Sequence, residues 1–242
     1  MSTRPGSAVP PADKIWYLKR IKILSDLDDP TLHRVAATVI SMAYRRRETI
    51  FTAWDPSDRV YLLRSGRVKL YMLSDEGREI TLAIMEPGDI FGETALVNPA
   101  ARQVFAEALD DATVAVMGLP DFEALLRDQP AVARRVTQAI GRQLLNTQRQ
   151  VESLAFADVS TRLARFLLDQ AASHGERNNG SGELRLPLAL THQEMANLLG
   201  TTRETLTSTL NRFVDAGVVR VESRGTLVIR DSADLRTRAH VD

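Results

Sequence analysis

The chain contains no cysteine, which excludes disulfides, thiol redox sensing and cysteine-held zinc or iron–sulfur centres together. Only four histidines occur, His33, His174, His192 and His240, and none lies between Ser41 and Leu119. That stretch therefore has no imidazole cluster for a catalytic metal, and a haem there would depend on methionine. No apolar run approaches the roughly 20 residues needed to cross a bilayer, and the first residues lack the apolar core of a signal peptide. A cytoplasmic protein without membrane contact is expected. An excess of either charge is missing too: 31 Lys+Arg balance 31 Asp+Glu, so no global positive field advertises a polyanionic partner. A local basic face remains open, because Arg134, Arg135, Arg142 and Arg149 fall in one stretch free of acids.

What is present divides into blocks. The 242 residues suit two domains of ordinary size. Residues 1–13, with Pro5, Gly6, Pro10 and Pro11, read as a flexible tail. From Lys14 to Ala37 the apolar marks Ile15, Leu18, Ile21, Leu24, Leu27, Leu32 and Val35 have helical spacing. Between Ser41 and Leu119 the period changes to two, as in Val68-Lys69-Leu70-Tyr71-Met72, with turns at Ser65-Gly66, Asp75-Glu76-Gly77 and Pro87-Gly88-Asp89. Short strands broken by glycine turns predict a β-sandwich or barrel closed around a small core. Residues 14–119 are accordingly read as a β-domain with N-terminal helices.

Pro120 opens a short helix, and a second, much longer one is expected from about Pro130 to Ala157. Val136, Ile140, Gln143, Thr147, Val151 and Leu154 recur along it every three or four residues. Such a stripe needs a partner, and a two-fold homodimer supplies one. Residues 120–157 are thus a candidate dimerisation segment. The last block, 158–242, opens with Asp158 as N-cap of a helix to about Ala172; His174 to Glu183 reads as a solvated loop.

Within that block, Thr191 and Glu194 form a capping-box pattern, and Gly200 follows the apolar pair Leu198 and Leu199 where a left-handed residue can end a helix. Thr201 or Thr202 caps a second helix whose inward positions are Leu206, Leu210 and Phe213, with Glu204, Ser208 and Asn211 opposite. Gly217 closes it, and Val218–Val221 and Thr226–Ile229 around Ser223-Arg224-Gly225 predict a hairpin. Two capped helices, a tight turn and a hairpin make a winged helix-turn-helix that binds double-stranded DNA. Arg203 and Glu204 sit at the tip of the second helix, where arginine can bond guanine and glutamate can accept from cytosine N4. Thr207 and Ser208 extend this base-reading set. Thr191, His192, Gln193 and Thr202 are placed to hold phosphates.

The β-domain with Gly88-Asp89-Ile90-Phe91-Gly92-Glu93, the long helix, Leu154-Ala155-Phe156-Ala157-Asp158-Val159, then Gln193-Glu194 and Arg203-Glu204-Thr205, resembles in this order the cyclic-AMP receptor protein and fumarate-nitrate regulator family of bacterial transcription factors. The resemblance implies an α+β chain: an N-terminal β-roll of the cyclic-nucleotide-binding jelly-roll type, a long dimerisation helix and a C-terminal winged helix-turn-helix. It implies a homodimer on a palindromic operator, not an enzyme, that activates transcription with RNA polymerase as partner. Phe156 and Asp158 then lie at the hinge between the halves. In nucleotide-binding members the resemblance makes Gly92, Glu93 and Arg102 the ribose and phosphate contacts, with cyclic AMP as allosteric effector. Gln103 stands where the familiar pattern has serine. Thr147 matches the base-contacting threonine of the long helix, and Gln148 replaces a serine. Ser208 stands where one branch has a second base-reading arginine. Regulation without an effector, by abundance or by another small ligand, is a second reading. A nucleotide-binding regulatory subunit for a protein partner is a third. A cupin-like enzyme lacks its histidines.

Overall fold

The computed structural model describes residues 7–8, 14–98, 100–177, 183–223 and 225–240. The chain divides into two compact units, Met1–Asn146 and Thr147–Asp242. The division falls inside the long helix rather than at the expected 157/158 boundary. The end of that helix belongs with the second unit, where Gln150 Nε2 donates to the Leu198 carbonyl at 3.4 Å.

In the first unit the helical N-terminal block is two helices, Lys14–Leu18 (α1) and Asp29–Thr38 (α2). Asp28 starts the second one afresh by accepting the Thr31 N–H at 3.0 Å, with proline in the first turn. The strands are Ser7–Ala8 (β1), Ile40–Tyr44 (β2), Thr49–Phe51 (β3), Arg59–Ser65 (β4), Val68–Leu73 (β5), Glu79–Met85 (β6), Ile90–Phe91 (β7), Phe105–Ala108 (β8) and Ala112–Gly118 (β9). They form two antiparallel sheets ordered β1-β2-β9-β4-β7 and β3-β8-β5-β6. Ser7 and Ala8 pair with Ala43 and Met42, so part of the segment read as a flexible tail is an edge strand. Residues 1–6 and 9–13 of that segment lie outside the described residues. Leu119–Asp128 (α3) and Pro130–Phe156 (α4) complete the order.

The central pair β4 and β9 is buried on both faces, not on the single apolar face that the alternation suggests. Val60 and Leu62 of β4, with Ala115 and Met117 of β9, pack under the helices against Leu18, Leu24, Leu32 and Phe122. Tyr61, Leu63, Val114 and Val116 face the other sheet, joining Phe51, Val68, Leu70 and Phe91. The larger of these side chains each contribute about 1.5–3 kcal/mol by leaving water, and burial on both faces is why these strands read as near-continuous apolar runs.

In the second unit the order after α4 is Val159–His174 (α5), Glu176–Arg177 (β10), Leu184–Pro187 (β11), His192–Leu198 (α6), Arg203–Asp215 (α7), Val219–Ser223 (β12), Thr226–Ile229 (β13) and Ser232–Ala239 (α8). The hairpin expected from the sequence is present as β12 and β13, inside a four-stranded sheet ordered β10-β11-β13-β12; Arg224 at its turn lies outside the described residues. The stretch His174 to Glu183 is therefore not all loop. Its start pairs with β11, Glu176 opposite Arg185, whereas residues 178–182 lie outside the described residues. α8 packs on α5 and is held there by Arg165 Nε donating to the Ala239 carbonyl at 2.9 Å.

Gly66, at the β4–β5 turn, has φ +77, and a Cβ there would lie 2.4 Å from the Asp111 carbonyl oxygen. Gly66→Ala combines a left-handed strain with a backbone collision that cannot relax by rotamer change. It is expected to lower unfolding free energy by about 2–4 kcal/mol in urea titration.

Candidate functional site

The recognition face is built by two caps. Thr191 Oγ1 accepts the Glu194 N–H at 3.2 Å while Glu194 Oε2 accepts the Thr191 N–H at 2.6 Å, the reciprocal box that starts α6. Gly200 reverses the chain at φ +58. Of the two candidate threonines, Thr202 is the cap of α7, accepting the Thr205 N–H at 3.2 Å. Leu206, Leu210 and Phe213 are buried, as their spacing requires. The opposite side presents Arg203, Glu204, Ser208, Asn211 and Arg212, all exposed, along one shallow concave strip with Thr207 and Asp215.

Two of the anticipated contacts are otherwise engaged. Thr207 Oγ1 donates to the Arg203 carbonyl at 2.8 Å and meets His192 Nδ1 at 3.0 Å. The threonine thus braces the helix pair, and the histidine is turned towards it. These two side chains join α6 to α7 in this structure. Gln193 is exposed, its Nε2 donating to Asn197 Oδ1 at 2.7 Å. Arg212 was missed by the motif, although it lies four residues after Ser208 on the same face.

In the first unit Gly92, Glu93 and Arg102 do come together. Gly92 is left-handed, φ +78, and a Cβ on it would lie 3.0 Å from Arg102 Nη1 and 3.0 Å from the Tyr61 ring. Glu93 opens a 3-10 turn, Glu93–Leu96, and is buried. Its Oε2 is a buried oxygen without a hydrogen-bond partner among the described residues. Burial pushes this carboxyl above its usual value, and the nearby Arg102 charge opposes the shift only in part.

Arg102 itself is 3% exposed. Its backbone is pinned to the turn between β3 and β4, with the Trp54 N–H donating to the Arg102 carbonyl at 2.9 Å and the Arg102 N–H to the Asp55 carbonyl at 3.0 Å. The guanidinium lies 4.0 Å from the Phe51 ring centroid and 5.2 Å from that of Tyr61, and donates to the Arg59 carbonyl at 2.8 Å. Tyr61 stacks on Phe91 at 5.1 Å. No carboxylate lies within ion-pair distance of it among the described residues, and burial pulls its pKa down. The aromatic cradle of Phe51, Tyr61 and Phe91 was not read from the sequence, where these residues look like ordinary core.

The remaining residues fall elsewhere. Gln103 is exposed beside Arg102, and Thr147 and Gln148 lie on α4 in the second unit. On the same helix Val136 is buried in its own unit's core, so it is removed from the proposed seam. Ile140 and Val151 are exposed, and so are Leu144 and Leu145, which the seam had omitted; Gln143 and Leu154 are half-buried. Phe156 ends α4 fully in solvent, and Asp158 caps α5 by accepting the Thr161 N–H at 2.7 Å. Arg135 is not part of a free basic face: it bonds the Lys22 carbonyl, Ser25 and Asp26. Among the described residues no histidine and carboxylate group is arranged for a metal, and no helix is long and apolar enough to cross a membrane.

Residues 41–129 match the model of the cyclic nucleotide-binding domain and residues 161–238 that of the Crp-like helix-turn-helix domain. The CRP-like cAMP-activated global transcriptional regulator of Mycobacterium tuberculosis is 31% identical over 222 residues, 92% of this chain and 98% of that protein. The chain belongs to the CRP/FNR family. Solved structures of similar proteins agree: a CooA variant from Carboxydothermus hydrogenoformans has TM-score 0.78 at 27% identity, covering 91% of this chain and 95% of that one. The c-di-GMP responsive regulator CLP of Xanthomonas campestris has TM-score 0.71 at 27% identity, covering 84% and 100%. This CRP/FNR protein is therefore a transcriptional regulator, not an enzyme, with a cyclic nucleotide-binding domain and a DNA-binding helix-turn-helix.

The raised Glu93 carboxyl gives a signed expectation. Its contribution to stability is fully present below the ordinary carboxylate range and is lost as pH rises through the raised folded-state value. Glu93→Gln should thus melt above the parent at about pH 7.5 and lose that advantage at about pH 4.5, as followed by thermal denaturation at both pH values.

Proposed function

We propose that the protein is a homodimeric operator-binding activator whose DNA affinity is set by a small anionic effector held at Arg102 and Glu93. Cyclic AMP is the effector that this donor set fits. The observation that carries the reading is the buried guanidinium of Arg102, with no carboxylate at ion-pair distance among the described residues, in the neighbourhood of a buried Glu93 oxygen with no donor. A phosphate supplies the missing anion, and a ribose hydroxyl supplies the missing donor. Gly92 leaves the room that any side chain there would take from Arg102. The effector binds one of two pre-existing arrangements better and so shifts their populations towards the DNA-competent one. The cAMP-activated relative supports this ligand, and the c-di-GMP responsive neighbour shows that effectors differ between similar chains.

Two copies pair through α4. Ile140, Leu144 and Val151 recur on one side of it in solvent, an apolar stripe that a monomer leaves wet. Pairing presents two copies of α7 to successive major grooves of a palindrome, about 34 Å apart. Arg203 and Glu204 read a G·C step, Ser208 faces the neighbouring base pair, and Thr191, Gln193 and Thr202 set register on phosphates. Activation proceeds by recruitment of RNA polymerase.

Calorimetric titration with cyclic AMP tests the effector: the parent saturates, and Arg102→Ala weakens binding at least about thirtyfold, as expected when one partner of a buried charge pair is removed. Equal affinities contradict the reading. Leu144→Glu should convert a sedimenting dimer to monomer while leaving the far-ultraviolet circular dichroism unchanged, and its melting should no longer depend on protein concentration. Arg203→Ala should lose about 1–3 kcal/mol of discrimination at a single base-pair position in each half-site, measured by competition with point-substituted operators at fixed salt.

A further inference from the structure

A second cavity, of about 570 Å³, lies within the first unit and does not include Arg102 or Glu93. Trp16, Tyr17 and Arg20, from α1 and the turn after it, form one wall; Arg64 and Ser65 at the end of β4 and Thr113 of β9 form the other. The walls are fixed by the backbone between them. The Lys22 N–H donates to the Gly88 carbonyl at 3.4 Å and Lys22 Nζ pairs with Asp89 at 2.8 Å, tying the turn after α1 to the β6–β7 turn.

The charge of this cavity is of one sign. No aspartate or glutamate lines it, and its two guanidiniums have no ion-pair partner among the described residues. Each instead lies on an aromatic face: Arg20 at 4.2 Å from the Trp16 centroid and Arg64 at 4.5 Å from that of Tyr17. Trp16 is 59% exposed, a large apolar ring left in water at the cavity mouth. Two cations without an ion-pair partner among the described residues, the exposed Trp16 ring and the hydroxyls of Ser65 and Thr113 converge here. They complement a ligand with a planar heterocycle to stack and a phosphate to pair bidentately with arginine. The volume lies in the range of small-molecule sites and far exceeds what a lone phosphate fills. A concave site assembled from separate chain segments also suits a small molecule better than a peptide.

We propose that this cavity is a second ligand site, independent of Arg102, that binds a nucleotide-class anion. The chain has two tryptophans, Trp16 and Trp54, so Trp54→Phe in the full-length protein leaves Trp16 as the sole reporter inside the site. Titration with guanosine 5′-monophosphate should change Trp16 emission saturably. The midpoint should rise about tenfold in Arg20→Gln and in Arg64→Gln, each losing a charged hydrogen bond, and stay unchanged in Arg102→Ala. Circular dichroism confirms that each variant is folded, and Arg20 is exposed, so its substitution spares the core. Inorganic phosphate at the same concentrations should leave the emission unaltered. Absence of a saturable response overturns the proposal. So does a response abolished by Arg102→Ala and kept by Arg64→Gln, which would place all nucleotide in the β-roll. An equal response to inorganic phosphate overturns the nucleotide class, and a response to an acidic peptide alone would make the cavity a protein-docking surface.

Discussion

The burial of one guanidinium organises the first unit. A cation taken out of water costs several kcal/mol unless its donors and its charge are compensated. Around Arg102 that compensation comes from the faces of Phe51 and Tyr61, from the Arg59 carbonyl and from the charges of Asp55 and Asp58 beyond contact distance. The arrangement requires β4 to present Tyr61 inward, the β3–β4 turn to pin both backbone groups of Arg102, and residue 92 to be glycine. It satisfies part of the guanidinium and leaves its charge with no carboxylate at ion-pair distance among the described residues. A protein selected only for stability gains nothing from such a half-satisfied group, whereas an anion receptor needs one.

The second unit follows a different logic, in which local chemistry does most of the specification. Caps at Thr191 and Thr202 start two short helices, Gly200 turns between them, and three apolar residues of α7 fix which face looks out. The His192–Thr207 contact adds a side-chain latch between the two helices. The exposed strip from Arg203 to Asp215 thus owes its shape to elements that can be named residue by residue.

How much of this was legible depended on the range of the forces involved. Capping, glycine turns and the change of hydrophobic period act within a few residues, so the helix-turn-helix, the hairpin and the β-rich block could be read directly. Long-range pairing could not. β10 is a two-residue polar strand, β11 is only four residues long and ends in proline, and α8 is carried by a few apolar residues such as Leu235, so none of them rises above a loop in one dimension. The seam on α4 was half legible: period alone chose Val136, which its own core claims, and passed over Leu144 and Leu145. At the proposed effector site, Gly92, Glu93 and Arg102 were found through family resemblance, whereas Phe51 and Tyr61 reach Arg102 only through the fold of the sheets and carry no sequence mark beyond being aromatic.

Effector control of DNA binding requires thermodynamic coupling between the two sites. The most direct measurement is operator affinity at fixed salt, with and without saturating cyclic AMP, set beside cyclic AMP affinity with and without saturating operator. If an effector at Arg102 biases a two-state equilibrium that DNA also biases, the two affinity ratios are equal, exceed about fivefold and both collapse to one in Arg102→Ala. Operator binding that is tight, specific and indifferent to the nucleotide would contradict the claim that Arg102 is the sensor.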